Sequence, residues 1–78
     1  MYVPSIHPHR SMIHLTVNGS PIELEEPVSI AELLQRIGVP PNYLAVEINA
    51  EVIPRAEHSS HSVAEGDEVE VVTLVGGG

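Results

Sequence analysis

The feature that most constrains this chain is the dipeptide Asn18-Gly19, set between two short alternating segments. Ile13, Leu15 and Val17 alternate with His14 and Thr16 before it, and Ile22 and Leu24 alternate with Glu23 and Glu25 after it. A period of two is the pattern of a strand with one buried face. Asn-Gly accepts the positive φ angles of a tight hairpin turn. A β-hairpin therefore opens the fold, and its apolar face needs a cover.

The cover follows directly. Ser29 and Glu32 have the spacing of a capping box, with Val28 and Leu33 placed as a hydrophobic staple. Ile30, Leu33, Leu34 and Ile37 recur at i, i+3, i+4 and i+7, which gives one apolar stripe on a short helix. Gly38 stands at the left-handed C-terminal cap, and Pro40-Pro41 forbid continuation. Leu44, Val46 and Ile48 then alternate with Ala45 and Glu47 as a third strand. Asn49-Ala50-Glu51 turns the chain into a brief Val52-Ile53 strand that Pro54 ends. Residues 56–62 read as polar and irregular, with one helical turn carrying His58 and His61 toward solvent. Without carboxylate or thiolate partners at fixed spacing, that pair is not expected to hold a metal.

Glu65-Gly66-Asp67 is a turn, and the last strand runs from Glu68 to Leu74. Its parity changes along its length. Val69 and Val71 share one face and Glu68 and Glu70 the other, but Val72 and Leu74 then place apolar groups on the acidic face. One short helix covers only one side of a sheet, so Val72 and Leu74, with Val75 beside them, are expected to form a small exposed patch for a partner. Acidic pairs such as Glu25-Glu26 and Asp67-Glu68 read as solvated surface.

The chain then closes on Gly76-Gly77-Gly78. A terminus without side chains is slim and conformationally free, suited to entering an enzyme channel. The chemistry open to its carboxylate is acyl activation: attack on the α-phosphate of ATP gives an acyl adenylate, from which a sulfur nucleophile displaces AMP. Glycine tails are also simply frayed ends, so this reading depends on the rest of the chain.

With 78 residues there is room for one small core. Eleven carboxylates against three arginines give a formal charge of −8, which disfavours a nucleic-acid backbone as partner and favours a basic protein surface. Cysteine is absent, so this chain has no disulfide, no thiolate metal site and no thiol nucleophile. Lysine is absent too, leaving no ε-amine for an activated terminus to acylate. No apolar run reaches membrane-spanning length and no secretory signal opens the chain, so a soluble, cytoplasmic protein is expected. Residues 1–11, MYVPSIHPHRS, lack periodicity and are expected to be a disordered leader or a non-native extension. Their His7 and His9 read as solvated side chains. The domain is placed at residues 12–75 and the flexible tail at 76–78.

Hairpin, helix, strand, short strand and final strand are the element order of an α+β fold, the β-grasp. Its mixed sheet of four to five strands has the first and last strands parallel at the centre and one main helix packed on one face. At this point the chain resembles the ThiS sulfur carriers of thiamine biosynthesis, which are ubiquitin-like β-grasp proteins. The resemblance runs from Met12 to Gly78. It is carried by the Asn18-Gly19 turn, the helix from Ser29 to Ile37, and Ala45-Val46-Glu47-Ile48-Asn49 followed by Glu51-Val52-Ile53-Pro54-Arg55. The Gly66-Asp67 turn and the terminal Val75-Gly76-Gly77-Gly78 complete it.

This resemblance implies a protein co-substrate rather than an enzyme. A ThiF-type adenylating enzyme, using ATP and magnesium, would activate the Gly78 carboxylate. Sulfur from a donor such as a cysteine desulfurase would convert it to a thiocarboxylate, and a ThiG-type thiazole synthase would accept the sulfur. No cofactor is expected on the carrier itself, which would be monomeric when free. The nearest alternative is the small subunit of molybdopterin synthase, with the same fold, tail and chemistry. The short span from Met12, the Pro54-Arg55 pair and the lack of prolines just before the tail favour the thiazole carrier over it. Other sulfur carriers, a lysine-conjugated protein modifier and a plain interaction module are the further alternatives. Nothing in the chain has the arrangement of a hydrolase triad or a phosphate-cradling loop.

Overall fold

The computed structural model describes residues 12–73. Strands β1 (Ile13–Val17), β2 (Ser20–Leu24), β3 (Ala45–Ile48), β4 (Glu51–Ile53) and β5 (Glu68–Val72) form one sheet in the order β2-β1-β5-β3-β4. Helix α1 (Ile30–Arg36) lies between β2 and β3 in sequence, and a single 3-10 turn occupies Arg55–Glu57. β1 and β5 are parallel, while β1–β2, β3–β4 and β3–β5 are antiparallel. The first and last strands thus sit side by side, with β5 in the middle of the sheet, as the element order led us to expect.

Both two-residue turns use positive φ. Asn18 (φ 50°) and Gly19 (φ 82°) join β1 to β2, and Asn49 (φ 53°) and Ala50 (φ 68°) join β3 to β4. The two asparagines also brace β5 from opposite sides. The Asn18 side chain accepts from the Val71 N–H at 2.8 Å and donates to the Val71 carbonyl at 3.3 Å. Asn49 accepts from the Glu68 N–H at 3.0 Å and donates to the Asp67 carboxylate at 3.1 Å. Each extends a strand ladder by a side chain where the backbone turns away. The second Asp67 oxygen accepts from the Ala64 N–H at 2.8 Å. Asp67 is therefore a half-buried turn clasp, not the solvated carboxylate expected.

Local signals set both ends of the helix. Ser29 Oγ accepts from the Glu32 N–H at 3.1 Å. The reciprocal half of the capping box is replaced: the Glu32 carboxylate instead pairs with Arg36 one turn on, at 2.5 Å. At the other end the Val39 N–H donates to Leu34 O and the Gly38 N–H to Gln35 O, the Schellman pattern, with Gly38 at φ 83°. Ile30, Leu33 and Leu34 are buried, while Ile37, expected on the same stripe, is the C-cap and is 37% exposed.

The core lies between the helix and one face of the sheet: Leu15, Val17, Leu24, Val46, Ile48, Ile53, Val69 and Val71 from the strands, and Val28, Ile30, Leu33 and Leu34 from the helix side. Full burial of such side chains stabilises by about 1.5–3 kcal/mol each before entropy is counted. Tyr43 and Val63 complete the core.

Two expectations fail here. Leu44 was assigned to the inner alternation of β3, yet it precedes the strand and is 56% exposed, while Tyr43 turns inward in its place. His58 was assigned to solvent, yet it is 3% exposed. The cause is the same for both. Segment 55–63 folds over the start of α1: the Ile30 N–H donates to His61 O, the Ala31 N–H to His58 O and the Val63 N–H to Val28 O. The first two contacts satisfy helix donors that would otherwise be orphaned, and together the three draw His58 inward to meet Tyr43.

Candidate functional site

The described part of the expected site is the end of β5. Val72 lies on the sheet face away from the helix, opposite Ala45 of β3, and is 42% exposed. The Leu44 N–H donates to Val72 O at 2.7 Å, so Leu44 flanks the same end of the strand. Leu74, Val75 and the tail glycines Gly76, Gly77 and Gly78 lie outside the described residues, as do residues 1–11 with His7 and His9. The chain therefore leaves the middle strand of the sheet with two exposed apolar side chains, Val72 and Leu44, at the point of departure.

Next to this apolar end the open face turns acidic. Glu70 of β5 and Glu47 of β3 are directly opposite one another, and Glu47 is flanked on β4 by Val52, which is 61% exposed. Like charges opposite each other cost stability, so this pair does not serve the fold. Further along, His14 sits within 3.8 Å of Glu23 and 3.5 Å of Glu65, all well exposed. Among the described residues no group of three or more His, Asp or Glu side chains is arranged to hold a metal ion, and no helix is long and apolar enough to cross a membrane.

A second feature escaped the sequence reading. Tyr43 O–H lies 2.6 Å from His58 Nδ1, and His58 Nε2 lies 2.8 Å from Ile53 O. A carbonyl only accepts, so Nε2 carries a proton toward Ile53 O, and Nδ1 shares the second hydrogen bond with the Tyr43 hydroxyl. The Arg55 guanidinium also lies over the Tyr43 ring, 4.3 Å from its centroid. The guanidinium also donates to the Tyr43 carbonyl and, at 3.5 Å, to the carbonyl of Pro41. Arg55 and Tyr43 wall a groove of about 340 Å3 between α1 and the chain entering β3, completed by Ala31, Leu34, Gln35, Val39 and Pro41. The sequence signal was Pro54-Arg55, noted as a family mark but not as a ring partner, because Tyr43 is twelve residues away.

The sheet order, with helix α1 the one α-helix among the described residues and packed on one face, defines a small β-grasp domain whose middle strand is followed in sequence by Gly76-Gly77-Gly78. The family model described as the ThiS family matches residues 15–78. The chain belongs to the ThiS family, which places it among the sulfur carriers of thiamine biosynthesis. The crystal structure of the thiamine biosynthesis protein (ThiS) from Geobacter metallireducens superposes with a TM-score of 0.72 at 38% identity, covering 85% of this chain and all of that one. The uncharacterized protein ycf40 of Porphyra purpurea is 35% identical over 66 residues, 85% of this chain and 93% of its own. A thiazole synthase of Paramagnetospirillum magneticum is 33% identical over 64 residues, 82% of this chain but only 20% of the synthase.

Proposed function

We propose that this carrier works through its own terminus, with the Gly78 carboxylate as the reacting group. A ThiF-type adenylating enzyme, with ATP and magnesium, transfers AMP to that carboxylate and releases pyrophosphate. A sulfur nucleophile, supplied from cysteine by a desulfurase, attacks the acyl carbon. The C–S bond forms, the C–O bond to phosphate breaks, and AMP leaves with the electron pair. Because desulfurase sulfur arrives as a persulfide, the first product is an acyl disulfide. A thiol reductant cleaves its S–S bond and leaves as a disulfide, and the thiocarboxylate so freed gives its sulfur to a thiazole synthase. Gly76 and Gly77 supply the slim approach, and Val72, Leu74 and Val75 supply the grip where the tail begins. The setting proposed for these steps is the cytoplasm.

The observation that carries this reading is the family match running through the terminal glycines. It is supported by a thiazole synthase that contains a related segment within its own chain, since a carrier and its acceptor gain from high effective concentration.

The test is the intact mass of the protein after incubation with an adenylating enzyme of this type, ATP, magnesium and a sulfur donor, before and after a thiol alkylator. Methionine oxidation adds nearly the same mass as replacing oxygen by sulfur, so alkylation decides. The chain has no cysteine, and a thiol-selective adduct on the terminal peptide is therefore a thiocarboxylate on Gly78. Absence of the adduct with an adenylating enzyme proven active on another carrier refutes the reading.

A further inference from the structure

Eleven carboxylates face three arginines in this chain, and the arginines are not equivalent. Arg10 lies outside the described residues. Arg36 is neutralised by Glu32 at 2.5 Å. Among the described residues Arg55 is left without a carboxylate, although it is surrounded by a strongly acidic molecule.

Its position is fixed all the same. One face of the guanidinium lies on the Tyr43 ring, and two of its nitrogens donate to backbone carbonyls at Pro41 and Tyr43. Five N–H groups are available on a guanidinium, so donors remain after both carbonyls are served. A charged fork held in place beforehand loses little freedom when it meets a carboxylate. Beside it runs the groove, whose walls at Leu34, Val39 and Pro41 are apolar.

The groove also has a defined place relative to the tail. Tyr43 is followed by exposed Leu44, whose N–H pairs with Val72 O at the end of β5. Whatever draws in the chain beyond Val72 approaches the end of the molecule where Arg55 stands.

We infer that this groove docks a carboxylate-bearing segment of the protein that accepts the sulfur, with an Asp or Glu on Arg55 and an adjacent apolar side chain between Leu34, Val39 and Pro41. The inference rests on the sulfur-carrier reading, and it goes beyond the tail patch by adding a second contact of opposite sign. The occupant is the thiazole synthase because a relative of that name contains, in one chain, a segment 33% identical to this one over 64 residues. An acidic carrier is attracted to many basic surfaces. One carboxylate on the partner, repelled by the rest of the carrier and matched only at Arg55, fixes which way round it binds.

The experiment measures the affinity of the full chain for the thiazole synthase and for the adenylating enzyme of the same organism by titration calorimetry, with thermal melts of every variant. Arg55→Gln should weaken binding to the synthase at least tenfold. Because this change also removes the clasp on Pro41 and Tyr43, Gln35 provides an independent probe: it lines the groove from an exposed helix position. Gln35→Glu should weaken synthase binding and Gln35→Lys should tighten it. A general net-charge effect toward a basic partner has the opposite signs, so the direction separates the local contact from the global field. Gln35 variants that both stay within twofold of wild type, signs reversed from those stated, or losses confined to the adenylating enzyme overturn the inference while leaving the carrier reading intact. Wild-type protein that binds neither enzyme overturns both.

Discussion

Asn18 does two jobs that its sequence context advertises unequally. As half of an Asn-Gly pair it closes the first hairpin, and glycine would do that as well. Its side chain also satisfies both backbone groups of Val71 on the neighbouring strand, which glycine cannot. Asn18→Gly should therefore keep the turn but lower stability by about 1–3 kcal/mol, the range for losing bonds to part-buried backbone groups. Urea unfolding with an unchanged slope measures it, and a loss below about 0.5 kcal/mol, within the usual surface range, would mean that water replaces the amide. The turn was legible in two adjacent letters. The brace was not, because Val71 is 53 residues away. The same holds for Tyr43 and His58, a buried pair whose polar tips satisfy one another across 15 residues. Alternation favoured Leu44 for the interior, and only the inward pull of His58 decides for Tyr43.

At the scale of elements, most signals within one turn of chain read correctly, the Glu32 half of the capping box and Ile37 excepted, and most that depend on contact did not. Ser29, Gly38 and the stripe of Ile30, Leu33 and Leu34 placed the helix, since caps and periodicity act locally. The segment 55–63 read as irregular because its order comes from carbonyls that accept from the start of α1. β5 is the instructive case. Its change of parity at Val72 announced an apolar group on the open face, and Val72 is exposed there. Val72→Ser should consequently change stability by no more than about 0.5 kcal/mol, as for other surface positions. The same change should weaken binding to the adenylating enzyme about tenfold, the loss of roughly one well-placed apolar contact. Paired thermal melts and titrations test this, and a stability loss of several kcal/mol would assign Val72 to the core instead.

For the whole molecule, the parallel pairing of β1 and β5 was legible through the β-grasp element order, while the full order β2-β1-β5-β3-β4 was not, since no local signal says which strand lies beyond β5. Of the candidate site, the exposure of Val72 was legible, while Leu74 to Gly78 lie outside the described residues. The groove on the helix side was not legible, since Ala31, Gln35, Pro41, Tyr43 and Arg55 share no local pattern.

Charge is the other property that belongs to the whole molecule. The formal −8 is spread over 78 residues, and Glu47 and Glu70 face each other on the open sheet at a cost to the fold. Such a field guides encounter with a basic enzyme surface more than it holds the complex together. Salt should therefore act on the association step. As ionic strength rises from about 0.1 M to 1 M the screening length falls from about 10 Å to about 3 Å, and the association rate with the adenylating enzyme should fall at least about tenfold. The dissociation rate, set by apolar contacts at Val72 and beyond, should change far less. Stopped-flow mixing across that range separates the two. A salt-insensitive association rate would mean that the acidic face does not steer this encounter, and the Glu47–Glu70 pair would then need another explanation.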